Sequence, residues 1–491
     1  MKETLLILCT LSTFFTSSQV QIGSDINPLT ALGQFGKSIS MSSDGNIIAV
    51  KGGDINTNKE FVRFFQNMSG VWTQIGSDIT DITSTDYFGQ SLSLSDNGNI
   101  IAIGIPGRDH NGTDYGAVQV YENVGGVWTQ IGSDILGQSD YENLGESVSL
   151  SADGSIVAIG VPEHEQTSNP VKSGRVEIYK NTGGIWTQIG SDILGESPGN
   201  WFGDNLSLSS NGNIVAIGTS RNNESLSNLA TGQVEIYENI SGVWTQIGSD
   251  INGLANERIG ESISLSSDGS IVAFGALYSY SLRGCAKIYQ NINGVWTQIG
   301  SDILGENATD LFGSTISLSS DGNLVAIGSA VNSDNGSQAG HVRIFKNVSG
   351  NWIQIGMDID GENAHDLSAE KNNLSLSSDG TIVAIGAWQN NGGSFSAGAG
   401  HVRVFNLSGV LSSDSFILKN TSIYPNPTNK KFTISLGENI QFKALQVYNY
   451  LGEHILISYN KEVNIENLSK GLYFVKIDSN QGTVTKKLLV N

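Results

Sequence analysis

The sequence predicts an all-β protein: a seven-bladed β-propeller closed by its own N-terminal strand, followed by a small C-terminal β-sandwich. Three observations carry this. A phrase close to WTQIGSDI recurs at Trp72, Trp128, Trp186, Trp244, Trp296 and Trp352, at intervals of 52 to 58 residues, a period that suits a four-stranded unit. An Asp-Gly or Asn-Gly pair recurs once per unit. Finally, a copy of QIGSDI stands at Gln21 with no unit before it, while the last unit lacks its own copy.

Each repeat divides in the same way. FGQSLSLSDNG, at 88–98, alternates Leu and Ser at period two and reads as a first strand. NIIAIG is a continuous apolar run, expected to be covered on both faces. GAVQVYEN alternates again, and VWTQIGSDI completes the unit. Four such strands in sequence form an antiparallel meander. Between the first two strands lie Asp44-Gly45, Asn97-Gly98, Asp153-Gly154, Asn211-Gly212, Asp268-Gly269, Asp321-Gly322 and Asp379-Gly380. These pairs tolerate the positive φ angles of primed two-residue turns, so such a turn is expected there.

The third strand also occurs seven times, from VRFFQN at Val62 to VRVFNL at Val402, but the fourth follows it only six times. The seventh copy is the N-terminal QIGSDI. A ring accounts for this phase, with the N-terminal strand pairing onto the third strand of the last blade. Closing such a loop costs about 5 kcal/mol of chain entropy, against apolar blade faces that an open array would leave exposed. A linear solenoid has no reason to divide one unit between its ends.

The net charge of −21, with no basic run longer than Lys430-Lys431 or Lys486-Lys487, excludes nucleic acid as a partner. The first 18 residues read as a secretory signal: Lys2, an apolar stretch from Leu5 to Phe15, then Thr16 and Ser18 at the −3 and −1 positions. That stretch is too short to span a bilayer, and no other segment approaches the required length, so no membrane span is expected. Cys285 is then the single cysteine of the mature chain and is expected to be buried and inert.

The pattern FG.S.SLS.DGN..AIG, together with G.V.VY.N and a Trp, resembles FG-GAP repeats, the units of the integrin α-chain propeller and of secreted microbial proteins. The likeness covers about residues 20 to 408. Phe35-Gly36, Phe88-Gly89, Phe202-Gly203 and Phe312-Gly313 keep the FG pair, Leu144-Gly145 and Ile259-Gly260 vary it, and Glu370-Lys371 departs from it. Integrin-type units often hold calcium in an Asp-rich loop between the first two strands. Here that connection is short and offers one or two acidic side chains, far from the six to eight oxygens calcium takes. No calcium, other metal or cofactor is therefore expected, and Asp109, Asn111 and Asp114 read as a polar surface loop.

From about Asn420 the texture changes, and lysines outnumber acidic residues. Stretches at 432–436, 444–448 and 473–477 alternate and read as strands of a small sandwich. IYPNPTNKKFTISL, VYNYLGE, NIENLSKGLYFVKI and KKLLVN follow in an order that resembles the type A C-terminal sorting domain of the type IX secretion system of Bacteroidota, an immunoglobulin-like fold. The matching positions include Tyr424, Pro425, Asn426, Pro427, Gly452, Gly471, Tyr473, Lys476, Lys486 and Lys487. The resemblance implies the type IX machinery as partner, passage through the periplasm, and release or attachment at the outer cell surface. The expected domains are a signal peptide at 1–18, the propeller at 19–406, a linker at 407–420 and the sorting domain at 421–491.

No catalytic motif emerges. GESPG at 195–199 fits G-x-S-x-G, but Ser197 lies between blades rather than on a strand-to-helix turn. His341 and His401 fill the same place in two copies of GHVR and read as packing residues, as do the repeated tryptophans. Loop lengths say more: the connections between second and third strands and between blades are longer and less uniform than the other two. Loops held by a rigid scaffold carry function. The candidate binding face is therefore that side, through Tyr87, Asp109, Asp114, Tyr115, Trp201, Tyr278, Tyr280 and Trp388. The expected function is non-enzymatic binding or adhesion to an extracellular protein or glycan. A polysaccharide hydrolase or lyase is the first alternative, and a structural surface-layer spacer the second.

Overall fold

The computed structural model describes residues 19–28, 33–54, 59–81, 86–110, 112–165, 173–196, 199–220, 230–390, 398–411, 421–437, 440–450, 453–479 and 482–491. Its architecture follows from turn chemistry that repeats along the chain. In the first hairpin of unit one, the Asp44 carboxylate accepts from the Ser42 hydroxyl at 2.7 Å and from the Asn46 amide at 2.9 Å, and the Ser42 hydroxyl in turn accepts from the Ile47 amide. The Ser-x-Asp or Ser-x-Asn cluster recurs around Asn97, Asp153, Asn211, Asp268, Asp321 and Asp379. Engaged in this way, the Asp keeps an ordinary backbone, and only the glycine takes a positive φ, +73° at Gly45. The expected primed two-residue turn is thus replaced by a four-residue connection, Ser43 to Asn46, closed by bonds from Gly45 N to Ser42 O and from Ser42 N to Ile47 O.

The primed turn lies instead between the third and outer strands. Met68 pairs with Val71, and the two residues between them, Ser69 and Gly70, have φ of +56° and +89°. The Asn67 side chain fastens this turn by accepting from the Gly70 amide at 2.7 Å.

Val20–Leu407 form one compact unit, and Ser408–Asn491 belong to the other. In the first, the described residues make seven antiparallel sheets arranged as meanders, numbered here in chain order. Sheet one runs Ile39–Met41, Ile47–Asp54, Lys59–Met68, Val71–Gln74. Its outer strand does not continue through IGSDI: Ile79–Asp81 returns to pair with the start of the third strand. In sheet seven, Leu374–Leu376, Ile382–Ala387 and His401–Asn406 are joined by Val20–Gln21, with Val20 opposite Asn406 and Gln21 opposite Phe405.

The sheets are linked at both rims. At the inner rim, the amides of Ser43, Asp96, Ala152, Ser210, Ser267, Ser320 and Ser378 each donate to the next residue of that series, and Ser378 donates back to Ser43 at 2.9 Å. At the outer rim, the indoles of Trp72, Trp186, Trp244, Trp296 and Trp352 donate to the carbonyls of Ile22, Ile131, Ile189, Ile247 and Ile299 in the preceding sheets at 2.8 to 3.0 Å. Trp128 differs: it stacks on Phe64 at 3.8 Å between centroids, and its indole nitrogen has no partner. The tryptophans thus bind sheet to sheet, as packing residues.

Apolar cores lie between neighbouring sheets. Ile48, Val50 and Phe35 of sheet one are buried with Val402, Val404 and Ala384 of sheet seven and with Ile26. Removing each large aliphatic side chain from water contributes about 1.5–3 kcal/mol.

The second unit contains a three-stranded sheet, Thr421–Tyr424, Lys431–Leu436 and Glu462–Asn464, and a four-stranded one, His454–Ser458, Phe442–Asn449, Gly471–Ser479 and Gly482–Val490. Phe432, Ile434, Leu445, Val447, Val475 and Leu488 form a core shared by both sheets. Of the linker expected at 407–420, Leu407 and Val410 are buried and Ser408–Leu411 form one helical turn. Residues 412–420 lie outside the described residues. No helix among the described residues is long and apolar enough to cross a membrane.

Candidate functional site

The two faces of the seven-sheet unit differ in chemistry. One carries the uniform turns just described. The other carries the connections between second and third strands and between sheets, where charged and aromatic residues change from sheet to sheet.

Near the axis of this second face, the first strands enclose a cavity of about 260 Å³ lined by their serines, among them Ser40, Ser93, Ser149 and Ser317, with Lys371 and Asn372. Many of these hydroxyls are already engaged, accepting for example from Leu94 N, Leu150 N, Leu208 N and Leu376 N of the following sheet. Lys371 and Asn372 belong to an insertion that the sequence pattern misplaces. Ala369 N bonds Gly386 O as Gly313 N bonds Gly328 O, and Ser368 bridges Gly340 as Phe312 bridges Gly284. Ser368-Ala369 therefore stand in the FG position, where the pattern put Glu370-Lys371. Glu370, Lys371 and Asn372 then fill a gap that elsewhere holds one residue, such as Gln90 between Gly89 and Ser91. The extra length carries the side chains far: Lys371 Nζ meets Asp204 of sheet four at 3.1 Å, and the Asn372 amide donates to Gln90 O of sheet two at 3.3 Å. Burial works against the Lys371 charge, but Asp204 and then Glu146 hold its pKa above the usual lysine value.

Farther from the axis, several sheets have a polar socket near the start of the third strand, built on the residue that opens it in sheets three, four, six and seven and on the position matching Glu177 in sheets one and five. In sheet three this is Arg175, which donates to Glu142 and to Glu177 at 2.8 Å each, all three nearly excluded from solvent. Burial would raise Glu142, but His164 and then Arg175 hold it at about 2. In sheet five, Lys287 lies 3.2 Å from Glu257 and 3.4 Å from Asp302. In sheet one, Arg63 makes a two-pronged contact with Asp78. In sheet four the position holds Gln233, and the neighbouring Glu235, bonded by the Tyr237 hydroxyl at 2.7 Å, is pushed by burial to about 7. In sheets six and seven the position holds His341 and His401.

The residues expected on the binding face do not form one constellation in the described contacts. Asp109 accepts from the Asp114 amide at 2.9 Å, and burial, then Asp109, raises the Asp114 carboxyl. Tyr115 and Trp201 are half-buried, and Tyr87 is exposed. Tyr278 lies under the Arg258 guanidinium, the Tyr280 hydroxyl donates to Asp302 at 2.9 Å, and the Trp388 indole donates to Glu370 beneath the Lys37 ammonium. Asn111 and Ser197 lie outside the described residues. Burial pushes the Cys285 thiol up to about 12, so it remains protonated, as an inert residue would. Sequence reasoning missed the insertion and the sockets. The loss of FG in unit seven and the paired GHVR motifs were the available signals.

In the C-terminal unit, Asn426 clamps the last strand: its amide donates to Lys487 O at 2.8 Å, and its carbonyl accepts from Leu489 N at 2.9 Å. Tyr424–Pro425 and Asn426–Pro427 are cis peptides. The Tyr473 hydroxyl donates to Ser469 O, while Lys476 and Lys486 are half-buried along the strand pair that Gly471 begins. Burial lowers the Lys486 pKa. Gly452 lies outside the described residues.

Comparison with known proteins follows the same division. The family model "Secretion system C-terminal sorting domain" matches residues 422–491, and the model "FG-GAP repeat" matches residues 79–121. A curated ulvan lyase of Nonlabens ulvanivorans is 36% identical over 90 residues, which is 17% of this chain and 17% of that protein. Solved structures with similar arrangements include the Dos1 propeller, at 12% identity and TM-score 0.45, covering 79% of this chain and 95% of that one. Another is U3-55K, at 11% identity and TM-score 0.46, covering 80% and 99%. A putative 6-phosphogluconolactonase from Bacteroides fragilis, at 11% identity and TM-score 0.44, covers 94% and 100%. Likenesses of this size carry nothing about ligand or activity. The chain carries FG-GAP repeats and ends in a type IX secretion C-terminal sorting domain, which makes it a secreted or cell-surface protein.

Proposed function

We propose that the seven sheets are the blades of a closed seven-bladed β-propeller, and that this propeller is a non-enzymatic binding module for an extracellular protein or glycan. In this reading, residues 1–18 direct export to the periplasm, the immunoglobulin-like domain at 421–491 engages the type IX machinery, and 407–420 links the two. The return of the inner-rim bonds from Ser378 to Ser43 supports closure. Deleting Gln19 to Asn27 removes the outer strand of the seventh blade and the carbonyl that accepts from Trp72. The expected result is a lower Tm with aggregation through the open edge. An unchanged melting curve would count against closure.

The contrast between the two faces carries the binding reading. A rigid set of turns supports a variable polar and aromatic face, the arrangement by which scaffolds present recognition loops. Screening the purified propeller on a glycan array and against surface extracts tests it. Saturable binding without turnover is expected. Binding of nothing would favour a structural spacer.

A polysaccharide lyase is the second reading, and the ulvan lyase relative is what favours it. The shared 90 residues are long enough to hold all of 422–491, so export machinery alone can account for the identity. Turnover of any glycan in the same screen would overturn the binding-only reading.

A further inference from the structure

The histidines that open the third strands of sheets six and seven are buried, His341 at 0% and His401 at 1% exposure. Neither ring nitrogen of His341 has a hydrogen-bond partner, and neither does Nε2 of His401. A buried polar group left in this state costs about 1–3 kcal/mol. Both rings face carboxylates. Glu306 and Asp334 form one set with His341, and Asp358 and Asp360 form another, each set with one ligand atom per residue lying within 4.8 Å of the others. Sheet seven repeats the pattern with Asp25, Glu362 and His401.

The internal cations do not satisfy these carboxylates as Arg175 or Lys287 does in its own sheet. Arg343 donates to Gln354 Oε1 at 3.1 and 2.6 Å and to Leu304 O, and stands 3.6 Å from Asp358 and 3.7 Å from Glu306. Arg403 donates to Asp360 O and stands 3.9 Å from Glu362. Around His341 there are therefore four carboxylates and one guanidinium that bonds elsewhere.

We propose that His341 and the carboxylates around it bind a divalent transition-metal ion of the zinc or manganese type, and that His401 with Asp25 and Glu362 binds a second. Imidazole with carboxylates suits zinc at about 2.0–2.2 Å from each ligand atom, whereas calcium calls for six to eight oxygens. Glu306 and Asp334 are exposed beside the buried His341. The side-chain amides of Asn307 and Asn332 donate to Asp334 Oδ1 and Oδ2 at 3.2 and 3.1 Å and orient its carboxylate.

Isothermal titration of the mature chain with zinc chloride tests this, with circular dichroism as the check on folding. Saturable binding of two ions is expected, falling to one in His341→Ala and to none in the variant that also carries His401→Ala. Because a buried histidine can matter for folding, Glu306→Gln, at an exposed carboxylate, is the second variant. It should weaken one site by about tenfold or more with an unchanged melting curve in metal-free buffer. Absence of saturable binding to the folded wild type, or stoichiometry and affinity unchanged by these substitutions, would overturn the proposal.

Discussion

The first five residues of the third strand differ by a single exchange between sheets three and four. Arg175-Val-Glu177-Ile-Tyr179 and Gln233-Val-Glu235-Ile-Tyr237 occupy equal registers, and in both the tyrosine hydroxyl donates to the glutamate at 2.7 Å. Sheet three adds a buried cation shared by Glu142 and Glu177. Sheet four does not, and Glu235 is pushed to about 7. One backbone socket therefore holds either a carboxyl that burial raises while a buried arginine works against it, as at Glu177, or one without that cation, pushed to about 7, as at Glu235. The contents decide which, since a buried charge is tolerated only when paired.

The strongest way to break this comparison is Arg175→Met. Glu142 and Glu177 would remain buried without their cation, and a loss of about 3–5 kcal/mol is expected, read by urea denaturation at pH 7. A loss below about 1 kcal/mol, the range of a solvent-exposed pair, would show that Arg175 is dispensable. At sheet four the effect is smaller and of opposite sign. The Glu235 pKa is raised from 4.5 to about 7 on folding, so the folded state binds more protons between those values. Stability falls as pH rises through that window, and the deficit is complete above it. Glu235→Gln removes the charge and keeps an acceptor for Tyr237. It should stabilise by about 2 kcal/mol at pH 8 and by nothing measurable near pH 4. A gain that does not change with pH would remove titration of Glu235 as its cause.

The fold was widely legible because each repeat states its own local chemistry. Alternation, the apolar second strand and the recurring Trp were enough to place the four strands of each unit. Turn type was harder to read. Asp44-Gly45 fits a primed turn by composition, yet the side-chain bonds from Ser42 and Asn46 hold Asp44 in ordinary backbone and move the primed turn to Ser69-Gly70. The outer strand was also expected to be continuous, but it breaks at IGS, where Gly76 packs against Gly126 and Trp128 of the next sheet. That contact lies a whole repeat away in sequence.

The site was less legible for the same reason. Lys371 meets Asp204 across 167 positions, and the insertion that carries it looked like a degenerate FG pair. His341 and His401 read as repeated packing residues, because nothing local shows which carboxylates surround them or where the nearby arginines donate. The predicted aromatic and acidic residues lie on the intended connections, but apart from the Asp109–Asp114 contact they engage separate neighbours.

What the sequence determined by itself was the repeat, its phase and the sorting domain, because these depend on strand periodicity, on turns spanning a few residues, and on a motif read in order. The tertiary structure alone decided how charge is compensated in each socket. Side chains from four segments meet there, and in a medium of low polarity a shift of less than an ångström separates a paired carboxylate from an unpaired one.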